Sequence, residues 1–94
     1  MKDQFSVGLD FGTESVRAVV VGVAEGRLAG QAEARYRHGV IDRQLPAGTL
    51  LWADYALQHP GDWLVAAAEA TREALSRTGL PSSAVLGIGV DFTS

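Results

Sequence analysis

Ninety-four residues fit a single small domain. Eight Lys and Arg against eleven Asp and Glu leave a net charge of −3 with no basic block, which argues against a nucleic-acid surface, and the absence of cysteine removes any disulfide framework or thiolate metal site. No apolar run approaches membrane-spanning length, and Met1-Lys2-Asp3-Gln4 opens no signal peptide, so a cytoplasmic location without a membrane partner is expected.

Phe5 to Phe11 reads as a first strand. Phe5, Val7, Leu9 and Phe11 fall on one face, and Ser6, Gly8, Asp10 and Gly12 on the other. The glycines leave that second face open for a ligand or a close-packed element. Residues 15–23 read as a second strand; its run Ala18-Val19-Val20-Val21 is apolar on both faces and predicts an interior strand covered on both sides. After a turn at Glu25-Gly26-Arg27, residues 28–37 form a third strand. Its alternation from Leu28 to Tyr36 puts one face in water and the strand near the sheet edge.

His38 to His59 has no clean period and predicts a long connection. His38, Asp42 and Arg43 in it could face a ligand, but such residues more often belong to a solvated loop. Pro60 suits the first position of a helix, and Asp62 in the first turn suits its dipole. The predicted helix spans residues 60–78. Its apolar stripe is Trp63, Ala67, Ala70 and Ala74, widened by Leu64, Ala68 and Leu75, with Trp63 in the core; Gly79 and Pro81 end it. Residues 84–92 form a fourth strand. A helical crossover makes it parallel to an earlier strand, and right-handedness places it beside the first. The predicted sheet order is 3-2-1-4, with Asp10 and Asp91 at the same end of neighbouring strands.

The chemistry concentrates around Asp10. A carboxylate at a strand end can hold a hydrated Mg²⁺. Gly12 beside it lets a phosphate approach the backbone, and the following turn amides can form an anion nest. Thr13 and Ser15 add hydroxyls, and Arg17 adds a fork that fits phosphate oxygens. These parts read as a nucleotide-phosphate grip on a β-hairpin; an ordinary polar turn would use the same residue types. The sequence stops at Ser94, directly after the fourth strand. Because α/β proteins place their sites at strand carboxyl ends, it is expected to be the amino-terminal piece of a longer protein.

Four stretches in this order carry a family resemblance: Gly8-Leu9-Asp10-Phe11-Gly12-Thr13-Glu14-Ser15-Val16-Arg17-Ala18, His38-Gly39-Val40-Ile41-Asp42, Gln58-His59-Pro60-Gly61-Asp62-Trp63-Leu64, and Val85 to Ser94. Together they resemble the FGGY carbohydrate kinases of the hexokinase and actin superfamily, and within that family the branch acting on ribulose. The resemblance implies an α/β, ribonuclease H-like (actin-like ATPase) amino-terminal subdomain with a mixed sheet and a crossover helix. Residues 1–94 would be part of the kinase amino-terminal domain, with the carboxyl-terminal domain absent. It also implies ATP and Mg²⁺, with Asp10 as the metal ligand and Gly12, Thr13, Ser15 and Arg17 on the phosphates. Asp91, Thr93 and Ser94 would begin the sugar side. The implied reaction is phosphorylation of ribulose to ribulose 5-phosphate in arabinose breakdown. The catalytic base and adenine pocket would lie downstream, so the piece alone is expected to be inactive.

Other readings share the strand order: another FGGY sugar kinase, a two-metal nuclease of ribonuclease H type using Asp10 and Asp91, or a non-catalytic actin-like module. The acidic balance argues against the nuclease. An open sheet edge on the fourth strand predicts self-association into a homo-oligomer.

Overall fold

The structure, a computed structural model, describes residues 3–53 and 55–92. Three strands come first: β1 (Phe5–Phe11), β2 (Ser15–Gly22) and β3 (Leu28–Arg35). Two short strands, β4 (Val40–Ile41) and β5 (Leu57–Gln58), precede helix α1 (Pro60–Thr78). A 3-10 turn at Ser82–Ala84 leads into β6 (Val85–Phe92). The main sheet has the order β3-β2-β1-β6, with β1 antiparallel to β2 and parallel to β6. This is the α/β, mixed-sheet order with a crossover helix that the sequence predicts. No helix among the described residues is long and apolar enough to cross a membrane.

Alternation in β1 and β2 builds the core. Val7, Val16, Ala18 and Val20 are almost completely excluded from solvent beneath α1. The helix begins at Pro60 and ends at Gly79, whose φ of 72° takes the left-handed conformation that glycine adopts without penalty. Its inward row is Ala66, Ala70 and Ala74, continued at the amino end by Asp62. Methyl groups bring the helix axis close to the sheet. The approach is tight at Gly30, where a Cβ would stand 2.7 Å from the Thr78 Cγ2 and 2.9 Å from the Ala74 carbonyl oxygen.

The inward row differs from the predicted stripe. Leu64 points to solvent, and Trp63, Ala67 and Leu75 flank the row rather than lead it. Asp62 explains the rotation. Its carboxylate is buried, accepting the His38 backbone N–H at Oδ2 (2.8 Å) and lying 2.8 Å from the His38 Nδ1 at Oδ1. Turning Asp62 toward β3 turns Ala66, Ala70 and Ala74 inward with it. His59 stacks on His38, ring centroids 4.3 Å apart and planes 12° apart, with its Nδ1 3.9 Å from the same carboxylate oxygen. Burial pushes the Asp62 carboxyl up, but the His38 hydrogen bonds and the nearby imidazoles outweigh it and hold the group below its ordinary value.

One expectation gains detail and another is corrected. The long connection between His38 and His59 holds a narrow antiparallel arm: Val40 pairs with Gln58, Ile41 with Leu57 and Gln44 with Leu50. Its pairs are few and non-local, which is why no period shows. Strand β2 is covered on one face only, because α1 lies over β3 and β2 and no element among the described residues covers the opposite face. Arg17 is exposed there, and Val19 and Val21 are half-buried. For the same reason Ile88, Val90 and Phe92 are more than half exposed beyond the helix, although they register with Val7, Leu9 and Phe11.

Two consequences are measurable. Gly30→Ala forces the helix off β3 and should cost about 2 kcal/mol in urea unfolding, whereas Gly87→Ala, which meets nothing within 4 Å, should be neutral or slightly stabilising. A depressed carboxyl stabilises the fold above its ordinary pKa of 3.8 and loses that contribution as pH falls through the folded value. Asp62→Asn should therefore lower stability at neutral pH and flatten the acid limb of the stability profile. Parallel profiles for the two proteins would contradict the His38–Asp62 contact as a source of stability.

Candidate functional site

The sheet face opposite α1 carries the polar residues of β1, β2 and β6. Asp10 pairs with Arg17 across the hairpin and with Asp91 across the parallel ladder, so the three occupy one row at one end of the sheet. Cross-strand partners share a face and lie within about 5 Å at Cβ. Around them is an open cleft of about 310 Å³, floored by Gly8 and Gly89 and flanked by Val19. A Cβ on Gly8 would meet the Val19 Cγ2 at 3.0 Å, while one on Gly89 would meet nothing within 4 Å. Glycine at these places keeps side chains out of the cleft.

Two carboxylates on adjacent strands repel unless a cation lies between or beside them. Arg17 supplies one neighbouring positive charge. Among the described residues, neither Asp10 nor Asp91 makes a side-chain hydrogen bond or ion pair. Both therefore keep their oxygens available, which is the donor chemistry of a hard divalent cation such as Mg²⁺.

The hairpin turn stands beside this row. The Gly12 amide donates to the Ser15 carbonyl at 2.8 Å and closes the turn, so it is committed internally. The turn's own carbonyls are each held. The Tyr36 hydroxyl donates to Gly12 O at 2.9 Å, the Gln58 Nε2 to Thr13 O at 3.3 Å, and the Tyr36 amide to Glu14 O at 2.9 Å. Burial and the Asp10 carboxylate push the Tyr36 phenol up, which keeps it a protonated donor. Among the described residues, the amides of Thr13 and Glu14 make no such backbone bond.

The expected site residues that the structure describes fall in distinct places. Asp10, Arg17 and Asp91 come together on the open face; Gly12 and Thr13 form the turn. Ser15 turns sideways, its hydroxyl donating to the Glu33 Oε2 at 2.7 Å. Thr93 and Ser94 lie outside the described residues. Asp42 and Arg43 line a separate hollow on the arm. His38, His59 and Asp62 offer ligand atoms within 4.8 Å of one another. A metal must lie in the plane of each imidazole it binds, and two rings stacked 12° from parallel share no such point nearby. That cluster clasps α1 to the end of β3 and is not arranged as a metal centre.

Tyr36 and Gln58 were not among the expected site residues. Tyr36 continues the inward register of β3 past the strand's end, which was a usable signal; Gln58 opens one of the stretches that carry the family resemblance, but nothing in that stretch assigned it a role at the turn.

No family model matches the chain. The chain is 45% identical over 93 residues to a ribulokinase of Mycolicibacterium smegmatis, covering 97% of this chain and 16% of that protein. It is 42% identical over 95 residues to a ribulokinase of Geobacillus thermodenitrificans, covering 100% of this chain and 17% of that protein. Among solved structures, a xyloylose kinase from Brucella ovis superposes with a TM-score of 0.74 at 26% identity, over 96% of this chain and 17% of that one. The chain thus spans about a sixth of the length of the curated relatives it matches. Over that sixth the chain is similar in sequence to ribulokinases and in fold to a sugar kinase.

Proposed function

We propose that the chain is the amino-terminal part of an ATP-dependent ribulokinase. The whole protein would transfer the γ-phosphate of MgATP to ribulose, giving ribulose 5-phosphate in arabinose breakdown, in the cytoplasm. The observation that carries this reading is the row Asp10–Asp91–Arg17 on a glycine-floored face, in a chain 38–45% identical to several ribulokinases.

Phosphoryl transfer depends on positioning and charge neutralisation more than on covalent chemistry from the protein. Asp10 is the residue to hold Mg²⁺, directly or through water, and that ion would neutralise charge on the nucleotide phosphates. Arg17, next to Asp10 in the row, adds a second positive group on the same side. Thr13 and Glu14 have amides to offer to phosphate oxygens, with the Thr13 hydroxyl beside them. Ser15 can contribute only if it exchanges its bond to Glu33. Asp91 would begin the sugar side of the cleft, a role that the family resemblance extends to Thr93 and Ser94. The base that takes the hydroxyl proton, the adenine pocket and the second domain belong to the remainder of the longer protein, so this piece alone is inactive. The unpaired edge of β6 and its exposed apolar row support contact with those further elements or with a second copy.

The nuclease and actin-like readings have no relative among the matches reported above. A kinase for another pentulose has the structural neighbour at 26% identity behind it, weaker than the ribulokinase identities. Asp10→Asn in the full-length protein should lower kcat with ribulose and MgATP by on the order of 10²-fold or more, with folding intact. A variant within a few-fold of wild type would remove Asp10 from the metal role. Faster turnover of xylulose than ribulose by the wild type would reassign the sugar.

A further inference from the structure

The three carbonyls of the hairpin turn have donors from outside the hairpin, and this orients the turn's amides. In a trans peptide the C=O and the following N–H point in opposite directions. Gly12 O is drawn to the buried Tyr36 hydroxyl on the helix side of the sheet, so the Thr13 N–H points to the other side, where Asp10 stands. Thr13 O is drawn to Gln58, so the Glu14 N–H points away from Gln58.

Gln58 has one orientation available for this. The Trp63 indole is a donor only, and its Nε1 lies 2.8 Å from the Gln58 Oε1. With its oxygen taken, Gln58 presents Nε2 to the turn. Trp63 is fixed in turn by the edge of Phe92 (centroids 6.3 Å apart), and Phe92 stacks on Phe11 at 4.9 Å. Phe11 immediately precedes Gly12. The contacts close a ring: Thr13, Gln58, Trp63, Phe92, Phe11 and back along the chain to Thr13. The ring ties the end of β6, next to Asp91, to the turn that follows Asp10.

We infer that Gln58, locked by Trp63, is a positioning residue for nucleotide phosphate. It holds the Thr13–Glu14 peptide so that its N–H faces the ligand, and it links that turn to the carboxyl end of β6. The inference rests on the kinase reading above. It goes beyond that reading in assigning a task to two residues of the arm and helix, neither of which lines the Asp10 cleft.

The test uses the full-length protein with Gln58→Met, which keeps the side chain's size without its polar ends, and Trp63→Phe, which leaves Gln58 free to turn its amide over. Loss of one orienting hydrogen bond should raise KM for MgATP about 5- to 10-fold in both variants, with KM for ribulose changed less than about twofold. Calorimetric titration with MgADP should show the same 5- to 10-fold weakening. Nucleotide KM within twofold of wild type in both variants would overturn the inference, as would an equal rise in both KM values. If Gln58→Met fails to fold, Trp63→Phe alone decides by the same criteria, since it retains an aromatic ring against Phe92. A wild type that binds MgADP but does not phosphorylate ribulose would overturn the sugar assignment while the calorimetry still decides the role of Gln58; a wild type that binds no nucleotide would overturn both.

Discussion

The parallel register of β1 with β6 is the constraint on which the rest depends. It sets Asp10 level with Asp91 and Phe11 level with Phe92. A parallel neighbour requires a crossover, and the crossover here is α1. The helix can lie flat because its inward row is alanine and because Gly30 offers no side chain where a Cβ would meet Ala74 and Thr78. Bulk at either place would lift the helix and carry the start of β6 with it. Packing on one face of the sheet thus determines which charges meet on the other.

The two faces have opposite requirements. The helix side gains from burial of Val7, Val16 and Val20, each removing apolar surface from water. The open side gives up burial to gather two carboxylates and an arginine over glycine. The turn shows the same division of labour. Its carbonyls are satisfied by Tyr36 and Gln58, from β3's end and from the arm, while the Thr13 and Glu14 amides are left to face outward.

The sheet order and the crossover were legible in the sequence because β1, β3 and β6 alternate with a period of two, β2 carries a continuous apolar run, and Pro60 and Gly79 punctuate the helix. The Asp10 and Asp91 row was legible too, since it follows from that order once β6 is placed beside β1. Other features were hidden because they arise from pairs far apart in the chain. Asp62 reads as a residue for the helix dipole; its burial depends on His38, 24 positions earlier. Leu64 reads as core because it is leucine, but the rotation imposed by Asp62 turns it outward. The arm's ladder of Val40 with Gln58 has too few residues to show a period. Gln58 stands in a stretch that carries the family resemblance, but its bond to Thr13, 45 positions away, has no local sequence signal.

The central claim is that the open face at Asp10 and the adjoining turn together receive a metal-bound phosphate. Its most direct test is a crystal structure of the full-length protein with MgADP. The account predicts Mg²⁺ within about 2.1 Å of an Asp10 oxygen, or about 4 Å if water intervenes, and a phosphate oxygen within about 3.2 Å of the Thr13 or Glu14 amide nitrogen. Nucleotide bound with its phosphates away from the Asp10 row, and the Thr13 and Glu14 amides facing only solvent, would contradict it.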